Sequence, residues 1–435
     1  MNGLRYRFIM ALLFLVIGAG CKKDKNEKPP MLHQGSLSLK TGPSSQRLLP
    51  RNLVVADKRA PWLQVFRSTP PPVGSYKMVS LPKTLPVLQP KKGVEQQPVA
   101  WKIRMKQAGA RFKQAGVLGI VLVHGTFVGD DPMGLVGWLE TMLPKSWRPF
   151  LQRLRKLINK TQGTITKDMG NFVAPYERLL QGALGISCSR FRWSSENHHE
   201  ARSKAALRLV DFLIKRLPTS SLSRSQRLLL VGHSHAGQVF ALLTHLLAKS
   251  KEVPVFLRAM KVSVEQQATL QKKLKRLRKI SIDILTLGTP PRYAWAIPAR
   301  SGVRLLHIIN HRGATPRGGA LHLLSMGRVL ATRDGDYVQQ WGIAGSDVPT
   351  PLERNKALVP LLGPSFSPIY WDQARKLRTR VHTAGFNLLV DYRDGFVLTK
   401  PSEWFTLLGH GIYTRYSTML FWVETVQQRW FPKKP

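Results

Sequence analysis

One segment near the middle of the chain restricts the fold more than any other. Residues 227–240 read RLLLVGHSHAGQVF, in which an apolar run leads through a turn of small and polar residues into an amphipathic helix. A helix that follows a buried strand carries the chain back across the sheet, so that the next strand runs parallel to the first. The segment therefore predicts a βα unit of a parallel sheet.

The same alternation continues on both sides of this segment. From about Val117 onward, short apolar runs alternate with longer amphipathic stretches, which is typical of an α/β protein with a mainly parallel sheet and helices on both faces. The predicted helices are Glu200–Arg216, Gly237–Ala248 and Thr414–Gln428. The predicted strands are Leu118–Val123, Ser187–Trp193, Leu228–Val231, Ser281–Leu287, Val303–Ile309, Tyr337–Ala344 and Asn387–Tyr392.

The amino-terminal residues have the composition of a targeting segment. Arg5 and Arg7 precede a short apolar run, Phe8–Ile17, and small residues then lead to Cys21. Residues 1–21 resemble a bacterial lipoprotein signal peptide, although Gly18 stands where that pattern prefers leucine. The resemblance implies a lipidated Cys21 that anchors the protein to a membrane of the bacterial cell envelope, outside the cytoplasm. The alternatives are an ordinary secretory signal and an uncleaved anchor.

Composition divides the rest of the chain. Residues 22–115 are rich in Pro, Lys, Ser and Gln, which predicts a partly disordered spacer. Residues 116–435 then form the α/β domain, with helical insertions at 132–185 and 254–279. The second insertion contains the run QKKLKRLRK at 271–279, a basic amphipathic helix. Such a helix suits a membrane surface, and it equally suits a solvated helix whose leucines pack on the domain.

The charge of the chain is strongly unbalanced. Lys and Arg number 67 against 24 Asp and Glu, which gives a net charge of +43. This excess favours anionic partners, and since no zinc-finger spacing or RNA-binding signature is visible, we favour a membrane or envelope surface and expect no specific nucleic acid. The alternative is a general compositional bias, because basic residues are spread along most of the chain. The two cysteines, Cys21 and Cys188, do not make a disulfide framework.

The turn after the central apolar run has a specific pattern. Gly232-His233-Ser234-His235-Ala236 places a serine between two small residues at a sharp strand-to-helix turn. Such a turn lifts the hydroxyl to the carboxyl edge of the sheet, and the following helix N-terminus favours a developing anion. A purely structural turn serine is the alternative. On these residues, the chain resembles the α/β-hydrolase superfamily, and in particular its bacterial lipases and esterases, over about 117–428.

The resemblance extends to the loop after the first strand of the domain. Residues 119–130 read GIVLVHGTFVGD, in which a buried strand ends in a His-Gly pair. In similar lipases, a backbone N–H just after this pair and the N–H of the residue after the nucleophile form the oxyanion hole. The resemblance therefore implies donors at Phe127, or alternatively Thr126, and at His235. We expect His124 to hold the loop.

The superfamily's chain order is serine, acid, histidine, with the histidine after the last strand. Two histidines are candidates, His382 and His410. His410 is the predicted base, because it follows the predicted last strand in a glycine-flanked loop and would take the proton of Ser234. A surface histidine with no catalytic role is the alternative.

The acid should follow the penultimate strand. Asp347 is the predicted acid, because it follows the predicted strand Tyr337–Ala344 at a turn before a helical run. If Val303–Ile309 is the penultimate strand instead, other carboxylates come closer to the required loop. The open alternatives are Asp336, Asp334 and Asp391.

Together these features predict a serine hydrolase that cleaves carboxylic esters through an acyl-enzyme on Ser234. Apolar residues after the oxyanion loop make a lipidic ester one option. We predict no cofactor and no metal, since the adjacent Asp130 and Asp131 have no partner cluster in the sequence. The alternatives are an acyltransferase, thioesterase or peptidase with the same machinery, or a non-catalytic envelope protein that binds anionic polymers. The oligomeric state stays open.

Overall fold

The computed structural model describes the chain in separate ranges. The described residues are 51–54, 59–66, 71–82, 84–86, 88, 97–125, 172–312, 335–336, 338–339, 353–364, 380–392 and 409–432. The chain divides into two units, Met1–Gly42 and Pro43–Pro435, and every described residue belongs to the second.

The strands of this unit form two sheets. In chain order they are β1 Arg51–Val54, β2 Val65–Phe66, β3 Tyr76–Ser80, β4 Val117–Val123, β5 Cys188–Phe191, β6 Arg227–His233, β7 Ser281–Leu287, β8 Val303–Asn310, β9 Arg380–Val381 and β10 Phe386–Asp391. The main sheet has seven strands in the order β3-β10-β8-β7-β6-β4-β5, and every neighbouring pair is parallel. A smaller sheet has the order β2-β1-β9. The predicted α/β class with a parallel sheet is confirmed.

Helices connect the strands of the main sheet. In chain order they are α1 Val99–Gln114, α2 Ala174–Leu184, α3 His199–Ile214, α4 Ala236–Ala248, α5 Val253–Ala259, α6 Val264–Leu277, α7 Glu353–Leu362 and α8 Met419–Trp430. Two 3-10 turns, Gly411–Thr414 and Tyr416–Thr418, precede α8. In the part of the chain that the structure describes, no helix is both long and apolar enough to cross a membrane.

The central strands are buried on both faces. In β6, Leu228 and Leu230 face the core beneath α3, α4 and α6, whereas Leu229 and Val231 face the core beneath α1, α2 and α8. Successive side chains of a strand point to opposite faces, so a strand covered on both sides is apolar throughout. This is why an uninterrupted apolar run predicted these strands, and it confirms helices on both faces of the sheet.

One predicted strand is wrong where it can be compared. In the predicted strand Tyr337–Ala344, the described positions Val338 and Gln339 are helical. The remaining positions of that prediction lie outside the described residues. The other six predicted strands are present, and Ser281–Leu287 has the predicted bounds.

The predicted spacer, 22–115, requires a correction. Tyr76–Ser80 is an edge strand of the main sheet, and Val99–Gln114 is a helix of the domain. Trp101, Met105 and Phe112 of this helix are completely buried. Their helical spacing places them on one face, but the Lys and Gln residues between them gave the segment the composition of a spacer.

The basic insertion, 254–279, contains most of α5 and all of α6. Leu270, Leu274 and Leu277 are buried in the core beneath α6, while the lysines between them are exposed or partly exposed. A capping box at Ser263 begins the helix. This region therefore contains a solvated helix whose leucine side packs on the domain, one of the two interpretations of its sequence.

A buried charge cluster joins the three central strands. Asp283 of β7 is completely buried, and its two oxygens accept hydrogen bonds from Arg304 Nε and Nη2 of β8 at 2.6 and 2.8 Å. Arg227 Nη1 of β6 lies 3.1 Å from the same carboxylate. The cluster links neighbouring strands through side chains as well as through the backbone.

We expect Arg304→Met to lower the free energy of unfolding by about 3 kcal/mol, because the Asp283 carboxylate stays buried with its closer partner removed. Urea unfolding measures this change. The matched control is Arg300→Met, the same substitution at an exposed position, which we expect to change stability by less than about 0.5 kcal/mol. Equal effects of the two substitutions would contradict the role given to Asp283.

Candidate functional site

Ser234 occupies a strained turn between β6 and α4. Its φ angle is +56°, in the left-handed region that residues with a side chain rarely adopt. The Ser234 N–H donates to Leu287 O at 2.9 Å, and Thr289 Oγ1 donates to Ser234 O at 2.8 Å. The end of β7 and the residues after it therefore hold the strained conformation from the neighbouring strand.

Two glycines allow the chain to approach this turn closely. A Cβ on Gly232 would collide with the ring of Phe240, one turn into α4. A Cβ on Gly125 would lie 2.5 Å from Ser234 Cβ. The first glycine lets strand and helix meet at a sharp angle, and the second lets the loop after β4 pass directly against the serine. This is the loop in which the sequence predicts an oxyanion donor.

A buried histidine–carboxylate pair lies beyond the ends of two other strands. Asp336 follows β8 in the chain and His410 follows β10, and both side chains are completely buried. His410 Nδ1 lies 2.8 Å from Asp336 Oδ2. A carboxylate oxygen accepts, so this contact assigns a hydrogen to Nδ1. In the neutral ring, Nε2 is then the nitrogen that can accept a proton.

The Asp336 carboxylate is held by two further donors. Tyr413 Oη donates to Oδ2 at 2.7 Å, and the backbone N–H of Gln339 donates to Oδ1 at 2.8 Å. Both oxygens are therefore fixed, and the orientation of the carboxylate toward His410 is set by Gln339 on its own segment and by Tyr413 on the segment of His410.

His233 connects this pair to the serine. It is the last residue of β6 and directly precedes Ser234. Its Nε2 donates to the backbone oxygen of His410 at 2.9 Å, and the two imidazole rings lie 4.5 Å apart. Ser234, His410 and Asp336 therefore belong to one continuous group at the carboxyl edge of the sheet.

The acid on His410 differs from the one that the sequence favoured. Asp336 makes the contact, and it was the first alternative to Asp347. The physical reason is that β8 is the strand that precedes the contacting carboxylate, while the described part of 337–344 is helical. Asp391 lies at the end of β10, where its carboxylate is 3.9 Å from Arg312 Nε. Asp347 and Asp334 lie outside the described residues.

Of the predicted oxyanion donors, one is described. His235 caps the N-terminus of α4, so its backbone N–H is at the positive end of the helix dipole. Its ring Nδ1 lies 3.5 Å from Ser234 Oγ. Thr126 and Phe127 lie outside the described residues.

The other candidate base, His382, is buried with both ring nitrogens hydrogen-bonded. Its Nδ1 accepts from Trp295 Nε1 at 3.3 Å, so the hydrogen is on Nε2, which donates to Thr289 O at 3.2 Å. Its ring stacks on that of His307 at a centroid distance of 3.8 Å. Burial lowers the pKa of His382 to about 4. Its hydrogen bonds engage both ring nitrogens, and the Asp336 contact belongs to His410.

His124 holds the loop beside the serine, as expected. Its Nε2 accepts from the backbone N–H of Trp193 at 3.3 Å, and its Nδ1 donates to Gly125 O at 2.9 Å. The ring therefore ties the end of β4 to the residues after β5.

Cys188 of β5 is buried, and burial raises the pKa of its thiol to about 12, so it carries no thiolate near neutral pH.

Sequence reasoning did not find Tyr413 or Asn310. The Asn310 backbone N–H donates to Tyr413 Oη at 2.7 Å, and Tyr413 in turn contacts Asp336. No local motif marks these residues, although Tyr413 lies only one 3-10 turn beyond His410.

Among the described residues, no group of three or more His, Cys, Asp and Glu side chains could hold a metal ion. Compared with protein-family models, with curated proteins and with solved structures, the chain gives no match.

Proposed function

We propose that this protein is a serine hydrolase of the α/β-hydrolase fold that cleaves carboxylic esters. Ser234 is the nucleophile, His410 the general base and Asp336 the acid that orients the base. The observation that carries this proposal is the buried His410–Asp336 contact of 2.8 Å beside β6, the strand that ends directly before the strained serine. A serine that served only as a turn residue would not require a buried imidazole–carboxylate pair next to it.

The chain order of the elements supports the same proposal. The serine follows β6, and the strands on one side of it in the sheet are β7, β8, β10 and β3 in succession. Asp336 follows β8 and His410 follows β10, the last strand of the chain that the structure describes. This is the order serine, acid, histidine that the α/β-hydrolase resemblance implies, with the acid after the penultimate strand of the main sheet.

The proposed mechanism uses these groups in sequence. Ser234 Oγ attacks the ester carbonyl while His410 Nε2 takes the hydroxyl proton, and Asp336 stabilises the imidazolium that forms. The carbonyl oxygen becomes an anion, which the His235 amide at the start of α4 stabilises together with an amide of the loop after Gly125. His410 then gives its proton to the departing alkoxide. Water then attacks the acyl-enzyme carbonyl while His410 Nε2 takes a proton from the water. His410 gives that proton to Ser234 Oγ as the acid product leaves.

A fluorophosphonate probe tests the nucleophile without knowledge of the substrate. We expect folded wild-type protein to become covalently labelled at Ser234, because the probe requires an activated serine hydroxyl. We expect Ser234→Ala to remain unlabelled. The matched control is Ser281→Ala, which removes another buried serine hydroxyl at the opposite end of a neighbouring strand and should label as wild type does. Intact mass and peptide mapping provide the readout.

Two results would contradict the proposal: no labelling of folded wild type, or equal labelling of Ser234→Ala. A panel of matched ester, thioester and amide substrates then separates an esterase from a thioesterase or peptidase, and added alcohol acceptors reveal acyl transfer. Binding to anionic polymer that persists in Ser234→Ala, without turnover of any substrate, would instead favour the non-catalytic alternative.

The substrate and location are further proposals. The leader that resembles a lipoprotein signal, with Cys21 as the lipidated residue, supports a position at the surface of an envelope membrane. There, the net charge of +43 favours anionic headgroups, and lipidic esters are the proposed substrate class. Residues 1–50 lie outside the described residues.

A further inference from the structure

The last residue of β8 connects the two segments that carry the acid and the base. The backbone oxygen of Asn310 accepts from the Asp336 N–H at 2.9 Å. Its side-chain Nδ2 donates to the backbone oxygen of Gly409, which directly precedes His410, at 3.0 Å. Its backbone N–H donates to Tyr413 Oη at 2.7 Å. One residue at the edge of the sheet thus fixes the acid segment, the base segment and the tyrosine hydroxyl.

The contact with Asn310 determines the direction of the tyrosine hydroxyl. A backbone N–H can only donate, so the Tyr413 oxygen accepts this hydrogen bond and its own hydrogen is directed to Asp336 Oδ2 at 2.7 Å. Burial, and then the charge of Asp336, raises the pKa of Tyr413 well above its ordinary value, so the hydroxyl stays protonated. The donor role is therefore maintained over the whole neutral range.

We infer that Tyr413 is a positioning residue that tunes the catalytic histidine through Asp336, an inference that rests on the proposed function. Tyr413 and His410 donate to the same oxygen, Oδ2. The tyrosine hydrogen bond is strongest when the carboxylate faces a neutral imidazole, and it weakens when an imidazolium draws the negative charge toward itself. Tyr413 therefore favours the neutral form of His410, which is the form that can take the serine proton.

Side chains from three segments lie around His410 in the described part of the chain. Asp336 contacts its Nδ1, the ring of Tyr413 lies edge-on at 6.2 Å, and the ring of His233 lies 4.5 Å away. The Nε2 of His233 donates to the His410 backbone oxygen at 2.9 Å. Removal of the Tyr413 hydroxyl takes one donor from the Asp336 carboxylate and the acceptor from the Asn310 N–H.

The test is Tyr413→Phe, measured as the rate of fluorophosphonate labelling of Ser234 against pH. We expect the acidic midpoint of the profile to rise by roughly 0.5 to 1 pH unit, which lowers labelling below the midpoint about 3- to 10-fold. The control is Tyr392→Phe. Tyr392 is also buried, and its ring lies edge-on to that of Tyr413 at 5.9 Å. The Asp336 carboxylate accepts hydrogen bonds from His410, Tyr413 and Gln339, so the Tyr392→Phe control should keep the wild-type midpoint.

A second substitution retains the hydroxyl, in case Tyr413→Phe does not fold. Site-specific Tyr413→3,5-difluorotyrosine makes the hydroxyl a stronger donor, so the midpoint should move to lower pH. A wild-type midpoint in folded Tyr413→Phe, or an upward shift with difluorotyrosine, would overturn the inference. The proposed function would still stand in that case, provided that the wild-type protein is labelled at Ser234. Absence of labelling in folded wild type would overturn the proposed function, and the inference with it.

Discussion

Replacement of Asp336 by asparagine is expected to lower kcat for ester hydrolysis about 10⁴-fold while the protein stays folded. The amide has nearly the same shape as the carboxylate, so the contacts with Tyr413 and Gln339 can be retained in part. An amide NH2 facing His410 Nδ1 would, however, donate to that nitrogen and move the ring hydrogen to Nε2. The histidine could then no longer take the Ser234 proton, because its Nε2 would already carry one.

Two further carboxylates provide the comparison for this prediction. Asp347→Asn removes the acid that the local sequence pattern favoured, and Asp391→Asn removes a carboxylate at the end of β10 that faces Arg312. Both variants should keep kcat close to that of wild type, measured on the same ester with folding checked by circular dichroism. A larger loss in Asp347→Asn than in Asp336→Asn would show that the described Asp336–His410 contact is not the catalytic one.

The parts of the fold that the sequence predicted are those whose signal is local. Ser281–Leu287 is buried along its whole length, and its apolar residues mark the strand without reference to other segments, even though the run includes Asp283. The turn at Ser234 is also local, since a strand, a sharp turn and a helix follow one another within a few residues. Glycine is required at position 232 because a Cβ there would collide with the ring of Phe240, which lies in the helix that follows the turn.

The carboxylate that contacts His410 was harder to predict, because its position depends on distant segments. Asp336 comes after the long segment 313–334 that follows β8, and its backbone N–H is held by the oxygen of Asn310 at the strand end. Nothing in the residues around Asp336 indicates that hydrogen bond. Asp347, in contrast, stands in a turn-like sequence after Tyr337–Ala344, which the sequence predicts as the penultimate strand. Local pattern therefore favours Asp347, whereas the carboxylate that contacts His410 is that of Asp336.

The average composition of residues 22–115 also gave no sign that part of this segment packs on the domain. The helix Val99–Gln114 contains Lys and Gln residues on its exposed side, and a composition-based interpretation assigned it to a spacer. Its buried face includes Trp101, Met105, Ala108 and Phe112, each three or four residues from the next. Periodicity was the informative signal here, and average composition was not.

The second large effect concerns stability at acidic pH. His382 stacks on His307, and His245 stacks on the indole of Trp62 at a centroid distance of 4.0 Å. Burial lowers the pKa of His382 and of His245 to about 4, and burial together with the neighbouring His382 lowers the pKa of His307 well below its ordinary value. All three rings are therefore neutral in the folded protein at a pH where the unfolded chain takes up protons.

The direction of the pH dependence follows from this difference. Each ring resists protonation in the folded state, so between about pH 6.5 and pH 4 the unfolded state binds more protons. The stability that the neutral rings contribute is complete above about pH 6.5 and is lost as the pH falls toward 4. For His382 and for His245, a difference of this size corresponds to a loss on the order of 3 kcal/mol each.

Urea unfolding at pH 7, 5.5 and 4.5 should therefore show a steep decrease in the free energy of unfolding. His245→Gln and His382→Gln remove one titrating ring each, while an amide can still meet the hydrogen-bond partners Ala294 O and Thr289 O. Each variant should be less stable than wild type at pH 7 and should lose less stability on acidification. If the two variants kept the wild-type slope, the acid sensitivity would have to come from other groups, because a residue that cannot titrate contributes nothing to proton uptake on unfolding.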